Sequence, residues 1–317
     1  MSSRLEDPES SNADPDPPAG TALRRRGRRL LRRNKRYLYR VRMPLRLLTA
    51  GARTFPRFLI IGAQRGGTTS LYTYLSEHPQ VLRAARKEIH FFDRHFHEGE
   101  TWYRAHFPLE STMARREEAV GKPVLTGEAT PYYMFHPDAP RRIASTLTGI
   151  RLIALLRDPV ARAYSHYNLT AGEGLDRMSF KEAVQWEQER LSRALENGTE
   201  IGACYGSRDH MRHSYLARSI YVSQLKICFD LFDRRNVHVA SSEDLFRSTQ
   251  ATYDRVLNFL GLEPYVLKIA QRRNIGLYGS ANLKGLDETL IDSLRTFFAP
   301  FNKSLYKLVG TDFHWDE

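Results

Sequence analysis

One stretch constrains this chain more than any other: Phe58 to Leu75, FLIIGAQRGGTTSLYTYL. The unbroken apolar run Phe58-Leu59-Ile60-Ile61 fits a strand covered on both faces, as in a parallel sheet. Gly62, Gly66 and Gly67 punctuate the loop that follows. Thr68, Thr69 and Ser70 then open a segment in which Leu71, Tyr74 and Leu75 keep helical spacing. The expected fold is a single α/β domain with a central, mostly parallel sheet flanked by helices. Strand, glycine-rich loop and helix start together make an anion site: glycines admit close approach, N–H groups point outward, and the helix dipole favours a phosphate. The Gly62 to Gly67 spacing mimics a P-loop, yet Thr68 stands at the P-loop lysine position and the cation comes earlier, at Arg65. That displacement argues against ordinary ATP or GTP hydrolysis. A tight strand–helix turn without a ligand is the alternative reading.

The 317 residues suffice for one large domain and a tail. No apolar run approaches the roughly 18–20 residues of a membrane span, and the N-terminus lacks the apolar stretch of a signal peptide. Cys204 and Cys228 imply no disulfide framework, so a reducing, cytoplasmic setting is expected. The formal charge of +12 is unevenly placed: residues 24–46 hold twelve Arg or Lys and no acid, and residues 1–23 hold five acids against Arg4. From residue 47 onward 35 basic residues face 31 acidic ones. The expected organisation is therefore a disordered acidic tail over 1–23, a basic amphipathic segment over 24–53 and the main domain over 54–317. Leu31, Leu38, Val41, Leu45 and Leu48 recur among the arginines, with a break expected at Pro44. Such a segment suits an anionic membrane surface, contacted through residues 24–48 at the inner face of a membrane. A solvated charged linker is the alternative, and sparse aromatic interleaving argues against nucleic acid.

Further along, Val81 and Leu82 start a strand, and Arg86 to Asp93 (RKEIHFFD) alternates polar and apolar. If extended, Glu88 and His90 share one face with Ile89 on the other. An acid and an imidazole beside Lys87 suit proton transfer, with a structural ion pair at a strand edge as the alternative. Residues 98–108 read as a loop and short helix lined with aromatics, forming a cleft wall. Val124 to Thr130 is a strand that includes Glu128, and Pro137 to Leu147 a helix. Arg151 to Leu156 is a strand ending in Arg157-Asp158-Pro159, before a helix that carries Ser165. This is a second strand-to-helix junction with a cation at its carboxyl edge, where ligands gather in open α/β sheets. Arg157 can fork around a phosphate with help from the Ser165 hydroxyl, so two anion sites on one sheet suggest a ligand phosphorylated at two places. Helical patterns cover 179–197, 215–232 and 249–260, with a strand over Val237 to Ala240. A last helix over 287–308 is expected to be interrupted near Pro300. Arg272, Arg273, Gly276, Tyr278 and Gly279 form a loop able to close over a nucleotide. No His/Cys/carboxylate cluster has ligand spacing, so no metal is expected.

The stretches IIGAQRGGTTSL, KEIHFFD with TWYRAHFP, and LLRDPVARAYSHY, in this order, resemble the sulfotransferase superfamily. The likeness is strongest to the heparan sulfate glucosaminyl 3-O- and N-sulfotransferase branch and its bacterial relatives, over Phe58 to Gly310. The resemblance implies transfer of a sulfuryl group from 3′-phosphoadenosine 5′-phosphosulfate, without a metal, to a hydroxyl or amine of a carbohydrate, glycolipid or small-molecule acceptor. It puts the 5′-phosphosulfate on Gly62 to Ser70, Arg65 in place of the family's catalytic lysine, Glu88 as general base, and His90 and Asp93 as its polar support. Arg157 and Ser165 match the 3′-phosphate grip, and Arg273 joins the cofactor side. Lys87, Asp93 and Glu128 are the acceptor-side candidates. Arg65 is a departure from the family lysine, since its fork cannot lose a proton. Ala129 stands where the heparan-modifying enzymes have a lysine, and Lys284 alone represents their lysine-rich loop. Both departures favour a smaller sugar, a glycolipid or a metabolite hydroxyl over a polyanion. Two rivals remain: a P-loop-type phosphoryl-transfer enzyme, disfavoured by Thr68 and the missing Walker B aspartate, and a non-catalytic peripheral membrane anion-binding protein. Glu88 discriminates, since a protein without the reaction has little use for that carboxylate.

Overall fold

The structure is a computed structural model that describes residue 39 and residues 41–196, 212–268, 283 and 285–315. Its sheet has five strands: β1 (Phe58–Gly62), β2 (Val81–Arg83), β3 (Leu125–Ala129), β4 (Arg151–Leu156) and β5 (Val237–Ser241). They lie in the order β2-β3-β1-β4-β5 and every pairing is parallel. The chain thus lays β2 and β3 on one side of β1 and β4 and β5 on the other. Strand order reverses at β1, and the crevice beyond its carboxyl end is where such sheets take ligands.

Burial on both faces explains why these strands read as apolar runs. Leu59 and Ile61 of β1 join Leu152, Ala154 and Leu156 of β4 in one core cluster. Phe58 and Ile60 join Ile153 and Leu155 in the cluster on the opposite face. The first cluster packs on α4 (Ala139–Thr146), α7 (Tyr221–Leu231) and the end of α10 (Glu288–Val309) through Ile143, Leu225 and Leu305. The second packs on α1 (Thr68–Leu75) and α9 (Thr249–Leu260) through Leu71, Leu75, Val256 and Leu260. α2 (Gly99–Arg104), α3 (Glu110–Val120), α5 (Pro159–Gly172), α6 (Phe180–Glu196) and α8 (Ser242–Arg247) complete the named α-helices.

Three local expectations differ from the structure, which also holds one helix that the sequence does not announce. Residues 86–93 are not a strand, as the next section details. α3 buries none of its residues and so carries no core-facing stripe by which the sequence could announce it. Pro300 does not interrupt α10, because Leu294, Phe298, Asn302 and Leu305 hold one buried face across it. Pro44 likewise lies within residues 41–46, which are helical. Two compact units divide the chain, Met1–Arg46 and Leu47–Glu317. The expectations for residues 1–23, for Leu31 and Leu38, for Cys204, and for the loop with Arg272, Arg273, Gly276, Tyr278, Gly279 and Lys284 lie outside the described residues.

Candidate functional site

The loop after β1 is shaped by two glycines. A Cβ on Gly66 would lie 2.4 Å from the Leu155 carbonyl oxygen, and Gly67 sits at φ +94, left-handed space that favours glycine. α1 starts at once with Thr68, so the N–H groups of Thr68 and Thr69 precede any intrahelical acceptor, while that of Ser70 already donates to the Gly67 carbonyl at 2.9 Å. Thr68 and Ser70 are buried and Thr69 is exposed. Arg65 has φ 73, and its Nε donates to Ser165 Oγ on α5 at 2.9 Å. Arg157, at the end of β4 and 1% exposed, donates through Nη1 to the Arg65 carbonyl at 3.4 Å. Arg65, Arg157 and Ser165 therefore form one cluster. The sequence assigned Arg65 and Ser165 to separate anion sites, whereas the fold bonds them, so the two sites share a wall.

On the other side of β1, the Glu88 N–H donates to the Ala129 carbonyl at the end of β3, at 3.2 Å. Glu88 and His90 both have φ 59, a left-handed conformation that costs a non-glycine residue about 1–2 kcal/mol. Ile89 between them is fully buried, and a π-helical turn, Phe91–His95, follows. The expected extended segment is replaced by this turn, because Ile89, Phe91 and Phe92 all enter the core. The two polar side chains converge nonetheless. Glu88 Oε1 lies 2.6 Å from Lys87 Nζ, Glu88 Oε2 lies 3.9 Å from His90 Nε2, and His90 Nδ1 lies 2.8 Å from Asp93 Oδ2. Burial alone would raise the Glu88 pKa, but the Lys87 ammonium, with His90 and Arg86, outweighs it and holds the carboxyl below the usual range. Glu88 is thus an ionised, half-exposed carboxylate, available to accept a proton.

Two acceptor-side assignments are corrected. Asp93 has no exposed side-chain surface and braces His90 from below. Glu128 is fully buried, with Oε1 accepting from Tyr103 and Tyr133 hydroxyls at 2.7 and 3.1 Å and Oε2 from Thr130 at 2.8 Å. Neither can touch an acceptor. Lys87, 22% exposed, stays at the mouth. Tyr103 and Phe107, read as cleft wall, lie in the core with zero exposure. The sequence missed Arg218, whose guanidinium lies over the rings of Tyr132 and Phe135 at 4.7 and 4.9 Å and donates to Gln64 Oε1 of the glycine loop. Its only signal is an arginine set in the apolar stretch YLARSIY. Arg273 lies outside the described residues.

At three adjacent strand ends stand a carboxylate with its imidazole, supplied by the segment after β2 and bonded to the end of β3, then a glycine loop with an arginine after β1, and a buried arginine with a serine after β4. Neighbouring strands lie about 4.8 Å apart, so a ligand spanning the middle strand reaches both flanks. The family model described as the Sulfotransferase domain matches residues 55–274. Human heparan sulfate glucosamine 3-O-sulfotransferase 3A1 is 30% identical over 289 residues, covering 85% of this chain and 64% of that protein. A Dictyostelium discoideum protein named membrane-associated sulfotransferase kil1 is 24% identical over 324 residues, covering 82% and 66%. The chain spans just under two thirds of the length of these two relatives. Among solved structures, a sulfotransferase from Alicyclobacillus acidocaldarius matches with TM-score 0.61 and 26% identity, over 83% of this chain and 100% of that one.

Proposed function

The chain belongs to the sulfotransferase domain family, and from that premise we propose that it moves a sulfuryl group from 3′-phosphoadenosine 5′-phosphosulfate to a carbohydrate hydroxyl. The observation that carries this reading is the order of the three strand ends, with base, phosphate loop and second phosphate grip side by side. A donor with a phosphosulfate and a separate 3′-phosphate fits that order, and Gly66 and Gly67 let the loop pack against the Leu155 carbonyl and the Phe246 ring, where a Cβ would collide. The donor supplies an activated sulfur whose transfer is an in-line displacement, so positioning and charge stabilisation carry the catalysis. First-turn amides and the hydroxyls of Thr68 and Thr69 hold the phosphosulfate. Arg65 stabilises the negative charge that builds on the bridging oxygen as its bond to sulfur breaks. Glu88 takes the acceptor proton as the new oxygen–sulfur bond forms, with His90 and Asp93 orienting it. Arg157 and Ser165 grip the 3′-phosphate, and Arg273 is proposed to join them.

The human relative's name supports a carbohydrate acceptor, and a glycolipid or another small hydroxyl compound is the finer alternative. Arg86 and Lys87 beside Glu88, with Arg94 on Asp93, add positive charge that suits an acceptor carrying an acid group near the reacting hydroxyl. We also propose an acidic tail over 1–23, a basic segment over 24–53 that meets anionic lipid, and a catalytic domain over 54–317, at the cytoplasmic face of a membrane. No helix among the described residues is long and apolar enough to cross a membrane. The test is transfer of labelled sulfuryl group to a panel of neutral and acidic oligosaccharides, with Glu88→Gln alongside. Glu88→Gln is expected to lower turnover about 10²–10⁴-fold while still binding adenosine 3′,5′-bisphosphate. Full activity in Glu88→Gln would remove the assigned base.

A further inference from the structure

We propose that Glu128 and Tyr133 are positioning residues: the buried carboxylate fixes the Tyr133 phenol, which fixes the backbone turn that presents Glu88 and His90. The inference rests on the sulfotransferase reading for its kinetic test, and on geometry alone for its structural one. The turn has little local reason to exist. Its two polar residues are both left-handed and neither is glycine, so local preference opposes it and something outside must impose it.

The imposing groups come from the end of β3. At the start of the turn the Glu88 N–H is taken by the Ala129 carbonyl. At its end the Phe91 N–H donates to Tyr133 Oη at 2.9 Å in a buried setting. A phenol has one proton, and here it goes to Glu128 Oε1, which leaves the lone pairs of Tyr133 for Phe91. Tyr103 and Thr130 direct their own protons to the same carboxylate, so Glu128 is an acceptor towards all three hydroxyls. The rings add to the hold: Tyr103 stacks on Phe91 at 4.5 Å and 12°, and Tyr133 meets Phe92 edge-on at 5.4 Å. A carboxylate without exposed surface is otherwise hard to explain in a strand whose neighbours are Gly127 and Ala129. Its three partners either bound the turn or stand in the segment that leads to Tyr133. The base is therefore aimed by a second carboxylate that never meets the acceptor.

Tyr133→Phe deletes one oxygen, orphans the Phe91 N–H and leaves Glu88, His90 and the loop untouched. Turnover is expected to fall about 10- to 10²-fold, the scale of a misplaced catalytic group, with the affinity for adenosine 3′,5′-bisphosphate unchanged. On a Glu88→Gln background the same change is expected to cost almost nothing further, because the effect runs through Glu88. Tyr253→Phe, which removes a buried hydroxyl bonded to the Tyr74 carbonyl on the far face, loses some stability but keeps its turnover. Glu128→Gln serves as a second variant of nearly equal volume should Tyr133→Phe not fold. Independently of any activity, amide hydrogen exchange at Phe91 is expected to speed up in Tyr133→Phe. Unchanged turnover, an equal loss on both backgrounds, or unchanged exchange at Phe91 would each overturn the proposal. A wild-type protein that transfers nothing would sink the activity reading and leave the exchange result to decide the anchor.

Discussion

Replacing Lys87 by methionine keeps the length of its aliphatic stem and removes a charge 2.6 Å from Glu88. Coulomb's law gives about 1.6 kcal/mol for that separation at the dielectric of water, and several-fold more in a dry interior. The pair is not dry: Lys87 is 22% exposed and Glu88 45%, so water and salt screen it. Measured pairs of this kind contribute about 0.2–1 kcal/mol. Taking the upper end, loss of Lys87 should favour the protonated carboxyl by about 1 kcal/mol, so the Glu88 pKa should rise. The sign follows from the direction of the native perturbation. Lys87, with His90 and Arg86, holds the carboxyl down, so losing one cation moves it up toward the ordinary carboxylate range. A base works in its ionised form, so the acid limb of kcat/KM should move to higher pH. Salt should move the wild-type limb upward and the Lys87→Met limb much less. The assay is kcat/KM against pH for both proteins at low and high ionic strength, with carboxyl NMR of Glu88 as a readout free of turnover. A limb that stays in place, or moves to lower pH, would refute the assignment of Lys87 as the group that sets this base.

Three other expectations test the remaining parts. Adenosine 3′,5′-bisphosphate at a hundredfold excess over its dissociation constant should stabilise the fold by about 2.7 kcal/mol, and AMP much less; equal thermal shifts would remove the role given to Arg157 and Ser165. Arg65→Ala should lower turnover about 10²–10³-fold and Arg65→Lys should recover much of it; a fully active Arg65→Ala protein would leave Arg65 only the shape of the loop. The full chain should co-sediment with anionic vesicles at low salt, less at high salt and hardly with neutral ones, since each cation near such a surface contributes about 1 kcal/mol. A chain truncated to start at Thr54 should stay in solution, and equal vesicle binding by both would show that residues 24–53 are not the anchor.

What could be read along the chain was whatever depends on neighbours in sequence. The apolar runs at Phe58 and Arg151, the glycines between Gly62 and Gly67, and the helical spacing after each run determine two strand–loop–helix units. Such units bury both faces of their strands and leave N–H groups at the carboxyl edge, so the fold class and the candidate anion site were legible together. The end of α9 at Gly261 belongs to the same kind: a left-handed cap is a local demand. Tertiary structure decided the rest. Alternation over residues 86–93 argues for a strand, yet Ile89, Phe91 and Phe92 are drawn into one core and force a left-handed turn that local propensity opposes. Residue type marked Glu128 and Asp93 as contacts for an acceptor, but burial turned both into supports, because a carboxylate beneath a turn and one at a cleft look alike in one dimension. Arg218 meets Gln64 across 154 positions and Arg65 meets Ser165 across 100, and no local pattern encodes such pairings. They arise where the sheet order brings β1 between β3 and β4, a choice made by the packing of helices on both faces and not by any strand alone.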